Sequence, residues 1–328
     1  MKNKLYRVVF KRIASSALVL LLLVTFIFLL VRLSPGDPSQ KFLSPQLNPQ
    51  LAEKVTKSFG LDQPIYIQYY SFILNLFSGD FGISYNYRQP VFSVVKDYFF
   101  FTLVFSFISF ILQLSFGYWF AKFSFYRRGK LIDRLLSKIS IITFSLPSFV
   151  VGLILVYIFS VKLDLLPTSG IKSIYFDDLN FMGKMKDYFL HLILPMITLS
   201  FAGIAVFYKY LRDNLNTVAN SPFITSLRAN GFSEKKIFKN HLVPNAIQPL
   251  ISIAGIEFGI LLGGALLTEV IFSLPGMGRL TINAILNRDF PLIIACSFIA
   301  GLMMIISNLA ADIIKIKMDK RFIKELIN

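Results

Sequence analysis

The sequence predicts an all-α membrane protein with six transmembrane helices, and three observations lead there. Apolar residues fill 55% of the 328 positions and charged residues only 16%, whereas soluble domains carry about 25% charge. Six apolar runs, each of about twenty residues or more, divide the chain; at about 1.5 Å per helical residue each crosses roughly 30 Å of hydrocarbon. Lysine and arginine are denser in alternate connecting segments, as the two faces of a bilayer require. Backbone amides in lipid must be satisfied within the segment, so the runs are helices; the strands of a barrel would be shorter and alternating.

The first run, residues 13–31, carries no charge and follows Lys2, Lys4, Arg7, Lys11 and Arg12. It ends in Arg32-Leu33-Ser34-Pro35-Gly36-Asp37-Pro38. A secretory signal has a shorter apolar core and a small-residue cleavage site, so this run reads as a retained helix. Residues 34–97 are too long for a turn and form an external subdomain. Within it, Asn48-Pro49 resembles an N-cap followed by proline at the first helical position. Leu51, Val55 and Phe59 then recur at helical spacing before Gly60. A second, aromatic helix runs from Ile65 to Phe77. The subdomain reads either as an ordered plug on the helix ends or as a surface that docks a partner.

The remaining runs are 98–121 and 139–161, both uncharged; 188–208, holding only His191; 245–268, interrupted by Glu257; and 290–311, uncharged. With a cytoplasmic N-terminus, the inside segments are the start, 122–138, 209–245 and 315 onward. They hold 22 of the 34 lysines and arginines. Both termini are therefore expected in the cytoplasm. The same bases, set beside anionic headgroups, account for much of the net charge of +16 without nucleic acid.

Other chemistries find no support. Cys296 is the single cysteine and His191 and His241 the only histidines, too few for a His/Cys metal centre. There is no convergent set of nucleophile, base and orienting group. No Gly-x-x-x-x-Gly-Lys-Ser/Thr phosphate loop occurs, so the chain holds no nucleotide of its own through that motif.

Residues 212–245, between the fourth and fifth runs, have the clearest local logic. Ser221-Pro222 opens a short helix with Phe223, Ile224 and Leu227 on one side, and Gly231 stands at a C′-like position. Ser233 caps a second helix with Glu234 near its positive end. Ile237 and Phe238 make that helix apolar on one side, Lys235, Lys236 and Lys239 make it basic, and Pro244 precedes the next run. This is a helical hairpin, either an amphipathic connector lying on headgroups or a rigid lever held by another protein.

The hairpin resembles the coupling motif of permease subunits of bacterial ABC importers, with Gly231 and Pro244 at the family spacing. Thr225, Ser226 and Leu227 stand where the family has Glu-Ala-Ala, and His241 and Val243 replace apolar residues near the proline. Further segments are similar in order along nearly the whole chain. They are Pro35-Gly36-Asp37-Pro38, Gly60-Leu61-Asp62-Gln63-Pro64, Gly79-Asp80-Phe81-Gly82-Ile83-Ser84 and Ser145-Leu146-Pro147-Ser148-Phe149. Leu166-Pro167-Thr168-Ser169-Gly170, Gly263-Gly264-Ala265, Thr268-Glu269-Val270, Pro275-Gly276-Met277-Gly278-Arg279 and Arg288-Asp289-Phe290-Pro291 follow. The chain is identified as resembling the first, B-type membrane subunit of the dipeptide/oligopeptide/nickel branch.

That resemblance implies a type I ABC importer transmembrane domain with an external helical insertion after the first helix, in the bacterial cytoplasmic (inner) membrane. It divides the chain into an N-terminus and first helix (1–33), the external subdomain (34–97), a five-helix core (98–314) containing the hairpin, and a cytoplasmic tail (315–328). It implies a second homologous permease subunit, two cytoplasmic ATPase subunits that bind ATP and Mg, an external substrate-binding protein and surrounding lipid. No cofactor is expected in this chain. The coupling residues would be Phe223, Ile224, Leu227, Gly231, Glu234 and Pro244. Peptides are the expected substrate, with nickel, glutathione or another small solute as alternatives. A secondary transporter or channel is the reading from another class; it would need no ATPase, and the repeats and paired intramembrane ions common there are not visible. Glu257 stands where the family more often resembles glutamine. It is either a protonated or hydrogen-bonded acid at a helix contact or an anionic point in the path, favouring cations such as a peptide's ammonium.

Overall fold

The structure, a computed structural model, describes residues 2–33 and 63–318. The helix expected from Asn48-Pro49 to Gly60 and the segment Pro35-Gly36-Asp37-Pro38 lie outside these residues, as do most of Gly60-Leu61-Asp62-Gln63-Pro64 and positions 319–328 of the tail.

The first run lies in helix α1 (Lys2–Leu33), which packs along the last helix of the chain. The expected aromatic helix is α2 (Ile65–Phe77). It rests on α1, with Tyr69 OH 2.6 Å from Thr25 Oγ1 and the Phe28 ring against those of Tyr69 and Phe72 at 5.3 and 5.2 Å. A turn at Ile83–Pro90 leads into α3 (Val91–Tyr126), so this helix starts before its apolar run does.

The third run departs from expectation. Residues 139–161 do not form one straight helix. The chain makes α4 (Leu131–Ser145), breaks, and resumes as α5 (Ser148–Leu155) and a π-helical turn, Val156–Lys162, bent by 100° from α4. The cause is local. Pro147 has no N–H to donate and excludes Leu146 from helical backbone; Leu146 is extended at φ −85°, ψ 125°. The described residues thus hold five continuous helices long and apolar enough to cross a membrane, and a sixth span if the bent pair crosses as one.

The chain continues as α6 (Phe181–Ala219), α7 (Pro222–Ala229), α8 (Glu234–Ile237), a π turn at Phe238–Leu242, and α9 (Val243–Leu262). Two short helices, α10 (Leu266–Ile271) and α11 (Met277–Leu286), precede α12 (Phe290–Met318).

Two helix pairs form the body, α3 running parallel along α6 and α9 antiparallel along α12. Helix α3 is inverted relative to a water-soluble helix. Thr102, Ser106, Ser109, Gln113 and Ser124 are buried, while Phe100, Phe107 and Phe116 are exposed. In lipid the outward face carries the apolar side chains, and small or polar residues make the helix contact. Gln113 donates to Leu199 O at 3.2 Å, and Ser106 to Leu261 O at 2.8 Å. Between α9 and α12, a Cβ on Gly255 would stand 2.5 Å from that of Ala311, so glycine permits the backbones to approach.

Three of the separate sequence segments meet at one end of α9. Gly264, at φ +104°, turns the chain so tightly that a Cβ there would lie 2.5 Å from Gly278 N. Glu269 is fully buried in this turn. Its carboxylate accepts from Ala265 N at 3.3 Å, Arg279 N at 2.9 Å and Thr102 Oγ1 at 3.3 Å. A buried carboxylate needs such donors, and two backbone amides and one hydroxyl supply them here. A Cβ on Gly276 would stand 2.3 Å from the Glu269 carboxyl carbon, which is why glycine occupies that position.

Candidate functional site

The hairpin begins where α6 ends. Ser221 occupies the N-cap position of α7 but makes no capping bond; its hydroxyl donates to Val218 O at 2.6 Å. Pro222 takes the first helical position, where no intrahelical N–H is needed. Helix α7 ends in a full Schellman motif, with Gly231 N donating to Arg228 O at 3.0 Å and Phe232 N to Leu227 O at 3.2 Å. Gly231 sits at φ +75°, the left-handed conformation its C′ position requires. A Cβ added there meets no atom within 4 Å, so the constraint on this glycine is backbone conformation and not space.

Phe232 then packs between Lys236, 4.9 Å above its ring, and His241, with ring centroids 6.5 Å apart. Ser233 stands at the N-cap of α8, again without a side-chain capping bond. Glu234 has a partner that sequence spacing did not single out. Arg228 grips its carboxylate at 2.7 and 3.4 Å and also donates to Ala219 O at 3.2 Å. One guanidinium so joins α6, α7 and α8, and its hydrogen bond to Glu234 raises its pKa. The pair is exposed, so its contribution is to geometry more than to stability.

The underside of the hairpin is core. Ile224, Ile237 and Leu242 are fully buried, and Phe238 nearly so, against Phe207, Leu211, Leu215 and Ala219 of α6, Ala121 of α3, and Ala246 and Leu250 of α9. The Phe238 ring lies 5.5 Å from Phe125 and 4.9 Å from Tyr126. Each such buried side chain stabilises by about 1.5–3 kcal/mol. Ile224, expected at the contact with an ATPase, is thereby corrected: it faces its own helices and anchors the hairpin. Leu227 is partly buried against the same cluster. Phe223, Thr225, Ser226, Arg228, Gly231 and Phe232 form the outward face, with Phe223 46% exposed.

Pro244, read from the sequence as preceding the next span, is part of it. It lies in the first turn of α9, immediately after the π turn Phe238–Leu242. A proline cannot donate to the carbonyl four residues back, and the wider π turn carries the chain past that missing bond. The second hairpin helix and the span are thus one continuous rod, from Glu234 to Leu262.

Glu257 lies on α9 away from the Gly255 and Gly259 face that meets α12. It is partly buried and has no hydrogen bond or ion pair among the described residues. Glu269, Asp289 and Asp133 are more deeply buried acids. Sequence reading passed over them because none interrupts the middle of an apolar run, although two stand inside the quoted motifs.

The matches to protein families agree with this architecture. The model of the "binding-protein-dependent transport system inner membrane component" matches residues 113–324, and its N-terminal companion matches residues 5–106. The chain belongs to this family. The permease is 32% identical over 313 residues to a probable peptide ABC transporter permease protein, y4tP, of Sinorhizobium fredii, covering 95% of this chain and 98% of that one. It is 33% identical over 306 residues to the glutathione transport system permease protein GsiC of Escherichia coli, covering 93% and 95%. Among solved structures it resembles the inward-facing MetNI methionine ABC transporter, with a TM-score of 0.50 at 15% identity, over 72% of this chain and 97% of that one. This last likeness supports the fold, that of a type I importer transmembrane domain. The permease is an ABC importer subunit, multi-pass in the bacterial inner membrane. It is not itself an enzyme: ATP hydrolysis belongs to a partner ATPase, and a substrate-binding partner completes the system.

Proposed function

We propose that this permease imports peptides or peptide-like solutes, driven through the hairpin 212–245 by a cytoplasmic ATPase. The observation that carries the reading is the two-sided hairpin. Its inner face, with Ile224 and Ile237, is buried in the core of α3, α6 and α9, and its outer face presents Phe223 to a partner. Such an element transmits a push to the spans without bending. Phe223, Leu227 and Gly231 face or flank the docking cleft, while Glu234 and Pro244 fix the rod behind it.

In this reading the assembly has two homologous permease subunits, two ATPase subunits that bind ATP and Mg, and an external binding protein. ATP draws the ATPase subunits together, the hairpins follow, the spans rock and the path opens outward. Substrate enters from the binding protein, and hydrolysis restores the inward state. Only contacts that differ between the two states can drive this exchange. The names of the similar permeases support peptides, and glutathione, a small peptide, falls within the same class. The basic-residue distribution supports cytoplasmic termini, with 122–138 and the hairpin on the same side.

A cysteine in place of Phe223 tests the docking. In the assembled transporter it should cross-link to the ATPase subunit and, in intact cells, resist impermeant thiol reagents. A cysteine at Phe77, which is 81% exposed at the end of α2, should react. Labelling of position 223 from outside would overturn both the topology and the docking. Uptake of a labelled dipeptide and tetrapeptide, and of glutathione, by cells expressing the complete system separates the substrates.

A further inference from the structure

We propose that Arg212 and Asp133 form a clamp that carries hairpin movement to α4, the first arm of the bent pair. The inference rests on the hairpin reading above. Arg212 lies on α6 about two turns before that helix ends at Ala219 and the hairpin begins. Asp133 lies in the first turn of α4 and is 3% exposed. The guanidinium meets the carboxylate in a two-pronged grip, Nε to Oδ1 at 2.7 Å and the terminal nitrogen to Oδ2 at 3.0 Å.

Surrounding donors hold the carboxylate still. Gly129 N donates to Oδ2 at 2.9 Å, and Ser124 of α3 donates to Oδ1. Tyr208 OH of α6 lies 3.2 Å from both Ser124 and Ser137, so α3, α4 and α6 meet in one polar knot. A planar fork on a carboxylate fixes orientation as well as distance, which lysine does not reproduce.

Beside the knot the packing is open. The space among α3, α4 and α6 next to the clamp is an open cleft of about 340 Å³, lined by Phe116, Phe120, Leu136, Ile139, Ala205 and Tyr208 among others. The cleft interrupts apolar contact between α4 and α6 beside the clamp, and the ion pair bridges the two helices there. Beyond the break at Leu146-Pro147 the second arm is gripped differently: Gly152 of α5 lies against Thr198 of α6 and against Phe272. A displacement of the hairpin thus reaches the first arm through the ion pair and turns it about the Leu146-Pro147 hinge, while the second arm stays with α6.

Spin labels in the assembled transporter test this without a known substrate. One label is placed at Thr225 on the hairpin and one at Leu135 on α4, each measured against a reference label at Leu286 on α11. In the wild type, ATP with vanadate should shift both distances. In Asp133→Leu/Arg212→Met, which leaves no unpaired buried charge, the Thr225 shift should persist and the Leu135 shift should be lost. Arg212→Lys, which keeps the charge but not the fork, should reduce the Leu135 shift and leave ATPase assembly intact. It decides the matter if the double variant fails to assemble. A wild-type Leu135 shift in these variants overturns the clamp. Absence of a Thr225 shift in the wild type overturns the hairpin reading first, and the clamp with it.

Discussion

Asp289 and Ser84, 205 residues apart in sequence, are joined by a buried hydrogen bond from the Ser84 hydroxyl to the Asp289 carboxylate. The same carboxylate accepts from Asn86 N at 3.0 Å and from Leu292 N at 3.4 Å. It therefore caps α12 and pins the turn before α3 with one side chain. Asp289→Ala removes every acceptor at once and leaves buried donors unpaired, at about 1–3 kcal/mol for each. The expected result is a lower unfolding temperature and faster proteolysis between residues 79 and 90, with the hairpin still able to bind ATPase. Asp289→Asn keeps acceptor oxygen and should fall between wild type and alanine. Unchanged proteolysis in the alanine variant would remove the pinning role.

Gly231 gives a prediction about conformation alone. Its φ of +75° costs a non-glycine residue about 1–2 kcal/mol, and a β-branched residue more. Since no atom lies near a Cβ there, Gly231→Asn should be tolerated and Gly231→Val should not. The valine variant is expected to insert at normal levels and to lose transport and substrate-stimulated ATP hydrolysis. Retention of both would show that the Schellman turn is not needed for coupling.

Neighbouring residues 223 and 224 should fail in different ways. Ile224 is buried, and Ile224→Ala should cost about 2–5 kcal/mol as a core truncation. Phe223→Ala removes an exposed ring and should leave thermal stability within about 0.5 kcal/mol. The expectation is a thermally labile permease in the first case and a stable one with weakened ATPase binding in the second. Thermal unfolding in detergent and co-purification with the ATPase distinguish them; the reverse pattern would invert the assignment of faces.

Glu257 has no partner within its own chain among the described residues and stands away from the α12 contact. A charge near the middle of a span costs several kcal/mol, about 2.5–3.5 on insertion scales, unless it is hydrated or paired. Glu257 is therefore expected to face the path or the second permease subunit. Glu257→Gln keeps shape and hydrogen bonding and removes the charge. If the charge acts on substrate, uptake of peptides with a free amino terminus should fall while amino-blocked peptides are unaffected. Equal uptake of both at wild-type rates would leave Glu257 a residue of the helix contact.

Much of the hairpin was legible in sequence because its signals are local. Ser221-Pro222, Gly231 and Ser233 fix where short helices begin and end, and a positive φ at Gly231 follows from the turn that joins them. What the pattern did not separate was the two sides of α7. Phe223, Ile224 and Leu227 are equally apolar in composition, yet only packing against Phe207, Leu211 and Leu215 decides that Ile224 turns inward. Glu234 illustrates the same limit: its position suggested a helix-dipole role, whereas its guanidinium partner comes from the preceding helix.

By itself the sequence determined that the chain is helical and crosses a membrane, since run length and the need to satisfy backbone amides in lipid leave no other economical structure. Its local signals also marked the short helices of the hairpin at Ser221-Pro222, Gly231 and Ser233, while the third span, which breaks at Pro147, read as one uninterrupted run. The tertiary structure alone decided the size of that 100° bend. It alone assembled the distant pairs Ser84–Asp289, Thr102–Glu269 and Asp133–Arg212. Hydrophobic periodicity carries no information about such pairs. A buried carboxylate is stable only where donors from other elements converge, and that convergence exists only once the helices have packed.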